Sequence, residues 1–246
     1  MTVALVTGAT KNIGFAVAER LAAAGHAIAV NGRDPDVVAG AVERLTSAGA
    51  TAVGFPADVS DEDEVDALFG AIETSLGSVG ILVNNAGIRC HGDIVDTRVE
   101  DWNRVLSVVL TGSFLTTRRA LPGMIGAGWG RIVNLAGLSA QSGAAGRVAV
   151  VTAKSGIVGL TKATAHEVAA HGVTANAISP GFIDTDRSPS LGDDEAANAH
   201  YDRGRAVPVG RTGRPGDIAE LCAFLCSDAA AYITGQTLAA NGGAYM

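Results

Sequence analysis

Aromatic side chains make up only 4% of this 246-residue chain, and charged ones only 17%. Against 48% hydrophobic residues, the core must be built from Ala, Val, Leu and Ile, in a chain long enough to bury one large α/β domain. Cysteine is scarce as well: Cys90, Cys222 and Cys226 have neither disulfide-framework nor zinc-ribbon spacing. That points to a reducing compartment and to no metal site. Cys222 and Cys226 are helical neighbours, read here as small apolar packing residues. No basic block exists, and the net charge of −7 is spread along the chain, which excludes nucleic acid and anionic membrane as partners. No apolar run is long enough to span a bilayer, and no basic segment precedes the first strand signal, so a soluble cytoplasmic protein is expected. Without repeat, linker or low-complexity tract, residues 1–246 read as a single domain.

Glycine is what the chain has in quantity, with 32 residues. The stretch Thr7-Gly8-Ala9-Thr10-Lys11-Asn12-Ile13-Gly14 follows the apolar strand signal Val3–Val6. It opens a helix whose apolar residues fall at Ile13, Val17, Leu21 and Ala24. Strand, glycine turn and helix in that order form a nucleotide-phosphate site: the glycines allow close backbone approach, and the helix N-terminus offers N–H groups to an anion. Asn12 stands where a middle glycine is common, and asparagine tolerates a left-handed turn better than most residues.

A second strand, His26–Asn31, ends in Asn31-Gly32-Arg33. An acid there would bind the adenosine ribose of NAD, whereas arginine suits the extra phosphate of NADP. With Arg33 and Lys11 at hand, and Asp34 before Pro35 reading as an N-cap, NADP(H) is the expected cofactor. A helix at about 36–48 leads to a strand at Thr51–Pro56 and then to Asp58-Val59-Ser60. Ser60 and Asp63 look like a capping box for a helix carrying Val65, Leu68, Phe69, Ile72 and Leu76. A buried strand, Ile81–Val83, runs into Asn84-Asn85-Ala86-Gly87. Helices at about 102–124 and 147–171 join further parallel strands as crossovers. The polar stretch at about 184–211 fits a lid over a site better than core, and a helix bearing Ile218, Leu221, Cys222 and Leu225 follows it.

These motifs, with the strand Arg131–Leu135, Lys154 in a long helix, Pro180-Gly181 with Thr185, and the closing Asn241-Gly242-Gly243, resemble a short-chain dehydrogenase/reductase of the classical type over nearly the whole chain. The resemblance implies a Rossmann-type, doubly wound α/β fold with about seven parallel strands and helices on both faces. It implies that Gly8, Thr10, Lys11, Asn12, Ile13, Gly14 and Arg33 hold the phosphates. Asp58 and Val59 would flank the adenine, and Asn84, Asn85, Ala86 and Gly87 would line the ribose side. Lys154 would bind the nicotinamide ribose, and Pro180, Gly181, Ile183 and Thr185 the nicotinamide end. Relatives pair through the two long helices, so a homotetramer is expected, with a dimer as second choice.

The same resemblance locates the proton chemistry. Members reduce carbonyls with a tyrosine four residues before the lysine, a serine after the preceding strand, and an asparagine on the earlier helix. In this chain those positions hold Val150, Gly137 and Val109. The related enoyl reductases carry their tyrosine seven residues before the lysine, where Arg147 stands. All tyrosines, Tyr201, Tyr232 and Tyr245, come after the lysine helix. Candidate replacements are His91, which follows Arg89 and Cys90 at the expected active-site mouth, and Ser139; each also has a plain reading, as a solvated loop histidine and a turn serine. His200 and Tyr201 in the lid are further candidates to close over a substrate. The leading expectation is an atypical NADPH-dependent reductase of an activated or polycyclic, natural-product-like small molecule. The alternatives are a non-redox cyclase, dehydratase or isomerase with NADP as a structural element, and a non-catalytic NADP-binding protein.

Overall fold

The computed structural model describes residues 1–186 and 207–246. Seven strands form one parallel sheet: β1 (Val3–Val6), β2 (Ala27–Gly32), β3 (Ala52–Pro56), β4 (Val79–Asn84), β5 (Gly130–Leu135), β6 (Val173–Pro180) and β7 (Thr237–Ala240). Their order is β3-β2-β1-β4-β5-β6-β7, so the winding reverses between β1 and β4. In an open α/β sheet a ligand crevice forms at that reversal, beyond the carboxyl ends of the strands.

Both sheet faces are covered, which is why the central strands read as unbroken apolar runs. Ala4, Val6, Ile28, Val30, Ile81 and Val83 point to one face and pack with α1 (Asn12–Ala23), α2 (Pro35–Ser47) and α8 (Pro215–Leu225). Val3, Leu5, Ala29 and Leu82 point the other way, onto α3 (Glu62–Ser75), α5 (Gly112–Ala127) and α7 (Val148–Val168). Cys222 and Cys226 are buried in the first of these layers. Among the described residues no helix is long and apolar enough to cross a membrane, and no cluster of His, Cys, Asp and Glu could hold a metal ion.

Helix starts follow local chemistry. Asp34 caps α2, accepting from the N–H groups of Asp36 and Val37 at 3.0 and 3.2 Å, with Pro35 at the first helical position. The start of α3 differs from the expected Ser60–Asp63 box. Asp61 is the cap, accepting from Glu64 N at 3.0 Å, because Ser60 is already engaged with Asp58. The helix expected at about 102–124 is longer and interrupted: α4 (Val99–Leu106) passes through a π-helical turn at Ser107–Thr111 into α5. A short helix, α6 (Ser139–Ser142), follows β5. Of the lid expected at about 184–211, residues 187–206 lie outside the described residues, and His200 and Tyr201 with them.

Candidate dinucleotide cleft and active site

The glycine turn is built by contacts that other residues would break. Gly8 has φ +61°, and a β-carbon at Gly14 would collide with the Gly8 carbonyl. Asn12, at φ +52°, is the one non-glycine residue with positive φ among the described residues. Thr7 Oγ1 accepts from the N–H groups of both Asn85 and Ala86 at 3.0 Å. The Asn85 amide donates back to Thr7 O and Gly8 O, each at 3.0 Å. The carboxyl ends of β1 and β4 are thereby locked together where the winding reverses. No side chain caps α1, whose N-cap is Lys11, so its first turn is left to serve an anion.

This turn forms one wall of a cleft of about 800 Å³. Gly8, Thr10, Lys11, Asn12, Ile13, Gly14, Arg33, Asp58, Val59, Asn85, Ala86, Gly87, Pro180, Gly181, Ile183 and Thr185 all line it. At one end Asn31 is buried, donating to Phe55 O and Ala57 O at 3.1 and 3.2 Å. Asp34 is occupied as a helix cap, so Arg33 and Lys11 dominate the rim of β2. Burial works against the charge on Asp58, but bonds from Ser60 Oγ and N at 2.6 and 2.9 Å, and the fields of Arg33 and Arg104, hold its carboxyl below the usual range.

Asn84 corrects the expectation placed on it. It does not line the cleft but is buried beneath it, donating to Asn134 Oδ1 at 2.9 Å and Thr117 Oγ1 at 3.1 Å. It also accepts from Thr116 Oγ1 at 2.7 Å, and Asn134 passes the chain on to Thr161 at 2.9 Å. An amide with its donors and acceptor so engaged ties β4 and β5 to α5 and α7.

Ile88, Arg89 and Arg147 also line the cleft. Gly92 N donates to Gly146 O at 3.0 Å, which zips the loop after β4 to the start of α7. That zipper brings Arg147 Nη2 to 3.2 Å from His91 Nε2. Arginine can only donate, so Nε2 of His91 is the acceptor in that contact. Cys90 is buried, and burial, aided by Asp101, raises its thiol pKa, so it is not a thiolate nucleophile.

Lys154 donates its ammonium to Leu135 O, and burial lowers its pKa to about 8. Its helix neighbours Val150 and Ala153 belong, with Val109, Ala136, Cys90 and Ile157, to one buried apolar cluster. Val109 sits within the π-helical turn, and its carbonyl accepts from Ser113 Oγ at 2.7 Å. A β-carbon at Gly137 would meet nothing within 4 Å. Ser139 is buried in α6 and, like Lys154 and His91, is not part of the cleft wall.

Pro180 ends β6, and Gly181, Ile183 and Thr185 follow it. Gly181 packs so closely that a β-carbon would lie 2.6 Å from Asn241 Cα. Ile183 pairs with Gly213 as an isolated bridge. Beyond them Asp186 is clamped to the glycine turn: Asn12 Nδ2 donates to Asp186 O at 2.8 Å, and Asp186 N returns a bond to Asn12 Oδ1 at 3.0 Å. Sequence reasoning missed Asp186 and Arg104, which join the cleft from separate elements and sit in no motif. It also missed Thr7, although its place at the head of the glycine turn was a usable signal.

The uncapped end of α1, the glycine cradle that a side chain would fill, and the cationic rim at Arg33 and Lys11 all fit a phosphate-bearing dinucleotide. Comparison with known proteins agrees. A family model described as enoyl-(acyl carrier protein) reductase matches residues 8–245. A 3-oxoacyl-[acyl-carrier-protein] reductase of Aquifex aeolicus is 38% identical over 244 residues, covering 99% of this chain and 97% of that one. The Vibrio cholerae protein of the same description is 39% identical, with the same coverage of each chain. A crystal structure from Agrobacterium tumefaciens, of a protein assigned provisionally as a gluconate dehydrogenase, superposes with a TM-score of 0.90 at 35% identity, covering 99% of this chain and 95% of its own. The sheet order, the cleft at its reversal point and these full-length matches together place the chain in the short-chain dehydrogenase/reductase family of NAD(P)-dependent oxidoreductases.

Proposed function

We propose that the chain is an NADPH-dependent reductase of an activated carbonyl or double bond, such as a quinone-like or polycyclic ketone, whose product anion is delocalised. The observation that carries this reading is a cleft lined by the glycine turn, Lys11 and Arg33, in a chain whose Val150 and Val109 lie together in one buried apolar cluster. When bound, the cofactor supplies a hydride. Arg33 and Lys11 pair with the 2′-phosphate, and the first turn of α1 receives the pyrophosphate. Lys154 is left with one of its two family roles, holding the nicotinamide ribose hydroxyls.

Val150 cannot donate a proton, Gly137 cannot polarise a carbonyl, and Val109 cannot order a water relay. Hydride addition to an ordinary ketone without those groups leaves a localised alkoxide, too basic to form at a useful rate. A delocalised product anion needs no such donor and takes its proton from water afterwards. For this reason the 3-oxoacyl thioester activity in the relatives' descriptions is not carried over. Loss of the reduced-nicotinamide absorbance tests the proposal. NADPH should be consumed above the enzyme-free background with quinone-like or polycyclic acceptors. Tight NADPH binding with no consumption for any activated acceptor would overturn it in favour of a non-redox enzyme.

A further inference from the structure

We infer that Arg104 is an adenine-binding residue, its guanidinium laid against the face of the cofactor's base; this deepens the cofactor reading of the cleft and rests on it. One row of residues places it. Arg104 on α4, Val108 in the π-helical turn and Gly112 at the head of α5 recur every four residues. Arg104 and Val108 both line the cleft. Gly112 abuts the stretch expected to flank the adenine, since a β-carbon there would lie 2.9 Å from Val59 Cγ2 and 3.0 Å from Val59 O. The row therefore packs against the Asp58–Val59 segment, and the field of Arg104 reaches the Asp58 carboxyl.

Local helix chemistry does not account for a cation here. A basic residue suits a helix C-terminus, but the backbone does not end at Leu106; it runs on helically through the π turn into α5. Turns of that kind are rare within helices and gather at functional sites. The chemistry of the surrounding wall suits a purine. Val59 and Val108 are buried and apolar, matching the face of a ring. Asp58, whose carboxyl is held ionised by its bonds from Ser60, can accept from an amine at the ring's edge. Arg104 itself is exposed. A planar guanidinium is weakly hydrated and stacks on a π face, so arginine rather than lysine suits the open side of such a slot.

The test is calorimetric titration of the full chain with NADPH, NADH and adenosine 2′,5′-bisphosphate, which all carry adenine. Arg104→Ala should weaken all three by at least about threefold, as expected of a lost cation–π contact. The ratio of NADPH to NADH affinity should stay as in the wild type, because the base is common to both. Arg104→Lys should recover only part of the loss, since an ammonium keeps the charge without the plane. Unchanged affinities in Arg104→Ala would overturn the inference. So would a loss confined to the two ligands with a 2′-phosphate, or full recovery in Arg104→Lys. Thermal unfolding without ligand checks that each variant folds; if Arg104→Ala does not, a loss for all three ligands in Arg104→Lys supports the inference and unchanged affinities overturn it. Failure of the unmodified protein to bind any of the three would sink the cofactor reading itself. Normal binding with an indifferent Arg104→Ala sinks only this inference, and because no turnover is read, the reductase stands or falls separately.

Discussion

At the scale of single residues, two side chains carry separable predictions. Arg33 is exposed at the cleft rim beside a strand end that offers no ribose-binding acid, since Asn31 is buried and bonded and Asp34 is a helix cap. NADPH should therefore bind at least about tenfold more tightly than NADH, and Arg33→Asp should reverse that order in a titration; equal affinities would refute the assignment. Lys154 gives a pH-dependent signature. Burial lowers its pKa from 10.5 to about 8. Below that lower value the ammonium is charged in both folded and unfolded chains, so the cost of burying it is present in full. Between the two values the unfolded chain holds more protons, and stability is regained as pH rises. In urea unfolding, Lys154→Met should gain relative to the wild type at neutral pH, and that gain should shrink as pH rises through this window; a pH-independent difference would contradict the buried charge. What was legible at this scale was backbone chemistry: Asn12 is a residue type that tolerates a left-handed turn, and it has φ +52°. The role of Asn84 was not legible, because its partners Thr116, Thr117 and Asn134 lie far along the chain.

At the scale of elements, β1 and β4 form one unit through the Thr7–Asn85 exchange. Asn85→Ala removes two bonds to backbone carbonyls, a loss of about 1–3 kcal/mol. It should lower thermal stability and weaken NADPH binding together, and a variant with unchanged affinity would show that the brace does not shape the turn. The first five strands were readable from apolar runs, with ends within a residue or two of those expected, whereas no bounds were read for β6 and β7. The π-helical turn at Ser107–Thr111 was not, because the sequence there keeps an ordinary helical period. The start of α3 was misread for a related reason. Ser60 and Asp61 both suit a cap, and only the fold shows that Asp58 has taken the serine.

At the scale of the whole molecule, the doubly wound topology was implied by the resemblance that the ordered motifs carry, and the strand order β3-β2-β1-β4-β5-β6-β7 agrees with it. Assembly is a further expectation: α5 presents Phe114, 45% exposed, on the face of a helix through which family members pair. Sedimentation should find a homotetramer, or a dimer as second choice, and a stable monomer at assay concentration would defeat this. The central claim is that a dinucleotide site persists here without the family's proton donor. Its most direct measurement is the NADPH-dependent reduction of a simple 3-oxoacyl thioester by the unmodified protein and by the triple variant Val150→Tyr, Gly137→Ser and Val109→Asn. Gly137 has open space for the serine, and Lys154 stands one turn from the new tyrosine. The unmodified protein should show no rate above background. The variant should recover measurable reduction, because a donor at this position contributes roughly two to four orders of magnitude. Robust reduction by the unmodified protein would contradict the account.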